Sequence, residues 1–193
     1  MRHGARAGII APSCSAISWV IGGDDDGGTL FNDVWSSANG KTWTCVALSS
    51  PWAGRSQHAV QVFLNRLWVV GGEDAAGSGL NDVWSSADGT NWVRAVVAAP
   101  WAPRRAHSSV VFDRKLWVLG GITDTGPTND AWSSVDGTNW VEATNSAPWA
   151  ARGGQVSLAF ANAMVVVVGM PEAAWLCVML LLVGTRARRC SRC

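Results

Sequence analysis

A unit of about 49 residues recurs along the 193-residue chain, and it restricts the fold more than any other feature of the sequence. The segment LWVVGG at 67–72 returns as LWVLGG at 116–121. The segment NDVWSSANG at 32–40 returns, with few changes, at 81–89 and at 129–137. Repeats of this length are typical of propellers and solenoids, in which each unit buries its apolar faces against its neighbours. The chain is therefore predicted to form one repetitive architecture without independent halves.

Each unit contains four short segments with strand character. In the second copy, the continuous apolar segment 67–70 is followed by Gly71 and Gly72, which we expect to end the strand. An Asp88-Gly89 turn separates the third segment from the fourth. The four strands predicted for this copy are 58–63, 67–70, 82–86 and 92–97. Four antiparallel strands in about 50 residues predict one blade of a β-propeller.

The copies are uneven toward both termini, and this sets the expected organisation of the chain. Residues 1–17 hold a degenerate first strand, residues 18–170 the propeller blades, and residues 171–193 a divergent tail that is first apolar and then basic. The fourth copy begins well, but neither NDVW nor an Asp-Gly turn follows Pro171. The expected fold is all-β, an arc of about three four-stranded antiparallel blades with a partial fourth.

Tryptophan is abundant, with 13 in the chain, and twelve of them recur at four places in each unit. Large flat side chains fill the wedge between radially stacked sheets, so the tryptophans on strands are predicted to be core between blades. Those in the connectors between units have Pro and Arg neighbours, which places them near the rim, where they could stack on a ligand. The connector tryptophans are Trp52, Trp101 and Trp149.

The charge balance and the cysteines exclude some classes of partner. A formal net charge of +1 with 15% charged residues gives no electrostatic footprint for nucleic acid. The five cysteines do not recur at the repeat period, which favours free thiols in the cytoplasm over a disulfide framework. Cys190 and Cys193 form a lone Cys-x-x-Cys, a weak metal or redox signal.

The divergent tail has three interpretations. Residues 163–184 are long enough to span a bilayer, although Pro171 and Glu172 near their middle argue against a membrane anchor. A second interpretation is a terminal strand or helix that covers the last blade. The third is that the chain is a truncated or misread product whose continuation holds more blades, and the abrupt loss of a strict repeat favours it.

The repeated residues resemble kelch repeats. The resemblance rests on the apolar strand ending in Gly-Gly, on NDVW with a second Trp eight residues later, and on the P…R..H pattern before the next strand. It covers about residues 18–160 and implies a kelch-type β-propeller. A partial similarity to the Asp-box of sialidase-type propellers appears in residues 86–92, where the box is a structural hairpin and implies no catalysis.

Catalysis is not expected from this chain. Propellers that resemble galactose oxidase use a Tyr radical and sialidases use a Tyr nucleophile, whereas this sequence contains no Tyr. His58 and His107 occupy equivalent repeat positions, and two histidines without a carboxylate motif fall short of a metal site. We expect them to brace the first strand of each blade beside Arg55 and Arg104. The two arginines are themselves expected to bond carbonyls or an Asp of an adjacent blade. No cofactor is predicted.

The loops between the second and third strands differ in sequence while their surroundings repeat. They occupy residues 24–31, 73–80 and 122–128, at one end of their blades. Variable loops on a repeated scaffold commonly carry binding specificity, so this end is the predicted partner-binding face. Its acidic residues are Asp24, Asp25, Asp26, Glu73, Asp74 and Asp124. The run 24–26 lacks the ligand spacing of a calcium loop.

Two functions from different classes follow from these observations. The first is a non-enzymatic module that presents its inter-strand loops to a protein partner. The alternative is a carbohydrate-binding propeller that uses the connector tryptophans. Three blades and part of a fourth do not close a ring, so we also expect self-association or further blades to cover the apolar sheet faces.

Overall fold

A computed structural model of the chain describes residues 8–10 and 17–167. These residues form fourteen β-strands, and no helix among them is long and apolar enough to cross a membrane. The alternative of an anchor at residues 163–184 falls largely outside them, and residues 163–167 belong to the last strand.

Three four-stranded antiparallel sheets confirm the predicted blades. The first consists of β1 (Gly8–Ile10), β2 (Ser18–Asp24), β3 (Leu30–Ser37) and β4 (Thr44–Ala47). The second consists of β5 (Ala59–Phe63), β6 (Arg66–Glu73), β7 (Gly79–Ser86) and β8 (Trp92–Val96). The third consists of β9 (Ser108–Phe112), β10 (Lys115–Thr123), β11 (Gly126–Ser134) and β12 (Trp140–Thr144).

A two-stranded sheet begins the fourth blade. It pairs β13 (Val156–Phe160) with β14 (Ala163–Val167). The first strands of successive blades are neighbours, with β1 beside β5, β5 beside β9, and β9 beside β13. These strands are therefore innermost, and the sheets fan outward from them as an arc that does not close.

The double glycine does not end the second strand, contrary to the prediction from sequence. β6 continues to Glu73 through a register shift between Val70 and Gly72. Gly71 and Gly72 have φ of 53° and 104°, a region that side chains disfavour. A Cβ on Gly72 would lie 2.7 Å from the Ser56 carbonyl oxygen. The glycines thus make a β-bulge against which the preceding connector packs closely.

The apolar core lies between blades rather than within them. Each of three clusters draws side chains from two adjacent sheets, as expected for sheets that cannot bury both faces alone. The first cluster includes Ile21, Val34, Trp52, Val69 and Trp92. The second includes Val70, Val83, Trp101, Val118 and Trp140. The third includes Val110, Leu119, Ala131, Met164 and Val166.

The connector tryptophans are placed differently from the prediction. Trp52 and Trp101 are 3% and 2% exposed, so their predicted position at the rim is wrong. The Trp101 ring meets that of Trp140 edge to face at a centroid distance of 4.5 Å, and Trp52 meets Trp92 in the same way. Trp52 and Trp101 therefore belong to the apolar clusters between adjacent blades, where each contacts tryptophans of the blade that follows it. Trp149 is half-buried.

Two side chains of the NDVW segment fix the connectors on both sides of a blade. Asn81 donates from Nδ2 to the carbonyl oxygens of Ala99 and Trp101, at 3.1 and 3.3 Å, and so holds the connector that leaves the blade. Asp82 accepts a bidentate ion pair from Arg55 of the connector that enters it, at 2.7 and 3.0 Å. The other copies repeat both contacts wherever the structure describes the partners.

Candidate partner-binding face

The hairpins β2–β3, β6–β7 and β10–β11 lie at the same end of the arc as the connectors, and together they form what we call the loop face. Backbone bonds join the two sets: Glu73 N donates to Ser56 O at 2.9 Å and Ile122 N donates to Arg105 O at 2.8 Å. The loop face therefore consists of residues 24–30, 73–79 and 122–126 with connector residues 51–57, 100–106 and 149–154.

Two of the predicted partner-binding residues, Asp25 and Asp74, also shape their own loops. Asp25 Oδ1 accepts hydrogen bonds from the backbone N of Gly27 and Thr29, at 2.9 and 2.8 Å. Asp74 Oδ1 accepts the equivalent pair of bonds at 2.9 and 3.0 Å. The hydrogen bond from the Thr29 backbone holds the pKa of Asp25 below its usual range, so this carboxylate stays ionised. The first two loops thus share one conformation despite their different sequences.

The remaining acidic residues of the loop face differ in how they are placed. Asp26 and Asp124 are exposed, whereas Asp24 is half-buried. Asp124 belongs to a two-residue turn that joins β10 directly to β11. The loop face therefore carries exposed negative charge in its first and third loops.

Glu73 ties two connectors to the second loop. Its Oε1 accepts hydrogen bonds from the Ser56 hydroxyl, at 3.1 Å, and from the Gln57 amide. Its Oε2 lies 3.2 Å from Arg105 Nε, and the Arg105 guanidinium also donates to the Gly77 carbonyl. Sequence reasoning placed Glu73 among the partner-binding residues, and the structure gives it these internal contacts.

A groove runs between the first and second loops. Its volume is ≈ 430 Å³. Small side chains line most of it: Leu30, Ala53, Gly54, Asp74, Ala75 and Ala76. The groove offers a shallow apolar floor beside the exposed carboxylates of the first loop.

The groove volume of ≈ 430 Å³ thus falls inside the range of small-ligand pockets, toward its lower end. A short apolar side chain of a partner would fill such a space, whereas the neighbouring carboxylates would face the partner's polar groups.

A second depression lies where the innermost strands begin. It has a volume of ≈ 300 Å³ and is lined by equivalent residues of three blades. His58 Nε2 lies 2.9 Å from the Ile21 carbonyl oxygen, and Gln155 Nε2 donates to the Leu119 carbonyl oxygen at 2.7 Å. His107 faces the equivalent carbonyl of Val70 without closing a hydrogen bond of ordinary geometry. His58 and Gln155 thus each contact the second strand of the preceding blade.

Both histidines are held neutral. Burial, together with the charge of the nearby Arg55 and Arg104 guanidinium groups, lowers the pKa of His58 to about 4 and that of His107 to about 3. His58 therefore carries its proton on Nε2 at neutral pH, where it donates to Ile21. Within residues 8–10 and 17–167, no group of three or more His, Cys, Asp or Glu side chains is arranged to hold a metal ion.

The cysteines contribute little to the described part of the chain. Cys45 on β4 is half-buried and free. The Cys190 and Cys193 pair lies outside the described residues.

Sequence reasoning anticipated part of the contacts behind the loop face. It predicted that Arg55 and Arg104 bond carbonyls or an Asp of an adjacent blade, and both form a bidentate ion pair and a bond to a glycine carbonyl. It did not identify the roles of Asn81 and Asp82. The signal was present, since Asn-Asp recurs unchanged in all three copies of the unit.

Comparisons with known proteins agree with this geometry. The model of a family described as "KLHDC2/KLHL20/DRC7 Kelch-repeats domain" matches residues 8–182. No curated protein matches the chain. A solved structure titled "Structure of YjhT" superposes with a TM-score of 0.66 and 16% sequence identity, covering 86% of this chain and 58% of that one. The chain thus spans less than two thirds of that structure, and the likeness shows the fold alone.

Proposed function

Because the chain belongs to the kelch-repeat family, we propose that it is a non-catalytic module whose loop face binds a protein partner. Kelch-repeat domains are typically interaction modules rather than enzymes. The observation that carries the proposal is the combination, on one face, of exposed carboxylates and a shallow groove with small side chains.

The charge on this face favours a partner segment with basic side chains. Asp25, Asp26 and Asp124 are exposed. Three of the four arginines of the face are paired with carboxylates: Arg55 with Asp82, Arg104 with Asp130, and Arg105 with Glu73. The fourth, Arg152, donates from Nε to the Ala150 carbonyl oxygen. The face therefore attracts cations, and complementary charge steers association and selects among partners.

The carbohydrate-binding alternative is not favoured. It depended on exposed connector tryptophans, and Trp52 and Trp101 are instead enclosed between blades. A buried indole has no free face on which a sugar ring could stack.

A charge-reversal experiment tests the proposed face. We expect arrayed basic peptides to bind the full chain better than acidic peptides of the same length. The double variant Asp26→Lys/Asp124→Lys should weaken this binding about tenfold, because two attractions between exposed charges are lost. The matched control Asp113→Lys/Glu142→Lys makes the same charge change at exposed positions outside the loop face. Equal loss in both variants, or no preference for basic peptides, would contradict the proposal.

The prediction of self-association concerns a different surface. In the sheet of β13 and β14, Val156 and Phe160 are 51% and 64% exposed. Exposed apolar side chains on a sheet favour association. We expect the mass measured by light scattering to rise with protein concentration, and Phe160→Ser to reduce that rise. A constant monomer mass at micromolar concentration would be the opposite result.

A further inference from the structure

The hairpins that join the third strand to the fourth share, in all three blades, two backbone bonds to one side-chain oxygen, but in the first blade that oxygen belongs to an amide. In the second blade, Asp88 Oδ1 accepts hydrogen bonds from the backbone N of Thr90 and Asn91, both at 2.8 Å. Asp136 makes the equivalent bonds in the third blade, at 2.8 and 2.7 Å. In the first blade, the residue at this position is Asn39.

Asn39 reproduces the geometry of the two aspartates with a carboxamide. Its Oδ1 accepts from the backbone N of Lys41 and Thr42, both at 2.8 Å. The Gly40 N donates to the Ser37 hydroxyl at 2.8 Å, as the equivalent glycine does in the other two hairpins. The first hairpin thus carries an amide at the position where the other two carry a carboxylate.

The residue that follows makes this amide chemically labile. Asn39 is the one asparagine of the sequence that precedes a glycine. Glycine has no Cβ to shield its backbone nitrogen, and a Cβ at Gly40 would meet nothing within 4 Å. Both residues are exposed, so water reaches them.

We propose that Asn39 is a site of spontaneous deamidation, which converts the first hairpin to the carboxylate form of the other two. The Gly40 nitrogen attacks Asn39 Cγ and loses its proton, the side-chain nitrogen leaves as ammonia, and a succinimide ring forms. Water then opens the ring at either carbonyl, giving aspartate or isoaspartate. No oxidant or other co-reactant is needed.

The hairpin accommodates one product and not the other. Aspartate at position 39 keeps the acceptor oxygen that Lys41 N and Thr42 N already contact, as Asp88 does for its own hairpin. Isoaspartate inserts an extra methylene into the backbone and moves these donors out of register. Deamidation also adds one negative charge, which changes the formal net charge of the chain from +1 to 0.

The same hairpin restrains the reaction. While Gly40 N donates to the Ser37 hydroxyl, the nitrogen is held away from Asn39 Cγ, so this hydrogen bond slows the reaction. Removing that hydroxyl leaves Asn39 and Gly40 in place and frees the nucleophile. Ser134 accepts the corresponding bond in the third hairpin, where no asparagine precedes the glycine.

Peptide mapping by mass spectrometry tests the proposal on the full chain, incubated in mildly alkaline buffer. We expect the peptide containing Asn39 to gain about 1 Da before any other asparagine peptide, with electron-transfer fragmentation separating aspartate from isoaspartate. Ser37→Ala is expected to raise the rate at Asn39, whereas Ser134→Ala leaves it unchanged.

Three results would overturn the proposal. The first is an unmodified Asn39 when the exposed Asn145, which precedes Ser146, has already reacted. The second is an equal rate at Asn39 in the Ser37→Ala and Ser134→Ala variants. The third is a melting temperature of Asn39→Asp well below that of the unmodified chain, because the carboxylate would then not fit. Agreement of all three measurements with expectation supports it.

Discussion

Lowering the pH from neutral to about 4 is expected to remove roughly 6 kcal/mol from the free energy of unfolding, with His58 and His107 contributing about half each. The pKa of His58 is about 4 and that of His107 about 3 in the folded chain, against 6.5 for an unperturbed histidine. Between these values the unfolded chain binds protons that the folded chain does not. Stability is therefore complete above pH 6.5 and falls as the pH drops.

The chain itself supplies the control for this prediction. Gln155 occupies the equivalent position in the fourth blade and donates to the Leu119 carbonyl without titrating. The variant His58→Gln/His107→Gln should therefore keep the contacts between blades and lose the pH dependence between 6.5 and 5. Urea denaturation followed by tryptophan fluorescence measures both proteins across that range.

Carboxylates leave the upper part of this range unaffected. The pKa of Asp82 and that of Asp130 lie below their ordinary value; burial raises both, but bonds from Arg55 and Arg104 lower them more. Their stabilising effect is present above the ordinary pKa of an aspartate and is lost only as the pH falls below it. A wild-type stability that does not change between pH 6.5 and 5, or an equal fall in the double variant, would refute the role of the histidines.

Replacing Arg104 with Met is expected to reduce the free energy of unfolding by about 3–5 kcal/mol, because it leaves a buried carboxylate without its partner. The Arg104 side chain is 1% exposed, and its guanidinium contacts both carboxylate oxygens of Asp130, at 2.8 and 2.7 Å. It also donates to the Gly120 carbonyl at 2.9 Å. Asp130 is only 14% exposed, so water does not replace the lost donor.

An exposed arginine provides the matched substitution. Arg94 lies 3.8 Å from Asp82 with 45% of its side chain exposed, so Arg94→Met should cost less than about 1 kcal/mol. The double variant Arg104→Met/Asp130→Asn should lose less free energy of unfolding than its two single changes lose together, because it removes the uncompensated charge. Denaturation curves for the unmodified chain and for the four variants, Asp130→Asn included, measure these differences. Equal losses for Arg94→Met and Arg104→Met would show that burial of the pair is not what makes it important.

The repeat predicted the blades well because strand character is a local property. Alternating Val residues, apolar segments and the Asp88-Gly89 turn placed all four strands of the second blade close to their observed bounds. The error at Gly71 arose because paired glycines are compatible with either a strand end or a bulge. Only the neighbouring connector, which closes in on Gly72, distinguishes them.

The contacts between blades were harder to predict from sequence. The period shows that Trp101 recurs, but it does not show that Trp132 and Trp140 of the next blade enclose it. In the same way, the sequence shows which loop residues are acidic, but it does not show that Glu73 forms an ion pair with Arg105. That pair depends on how two distant segments approach each other. Period and composition locate such residues, whereas their partners follow from the tertiary arrangement.

The contacts of the connectors have a consequence for how such a chain grows. Asn81 holds the connector that leaves its blade, and the Trp101 and Arg104 of that connector are completed by the blade that follows. One whole repeat inserted anywhere in the arc therefore brings one complete new interface and leaves the existing interfaces unchanged. Duplication of the unit therefore lengthens the propeller without changes to the residues of the existing interfaces. Each added interface couples the stability of its two blades.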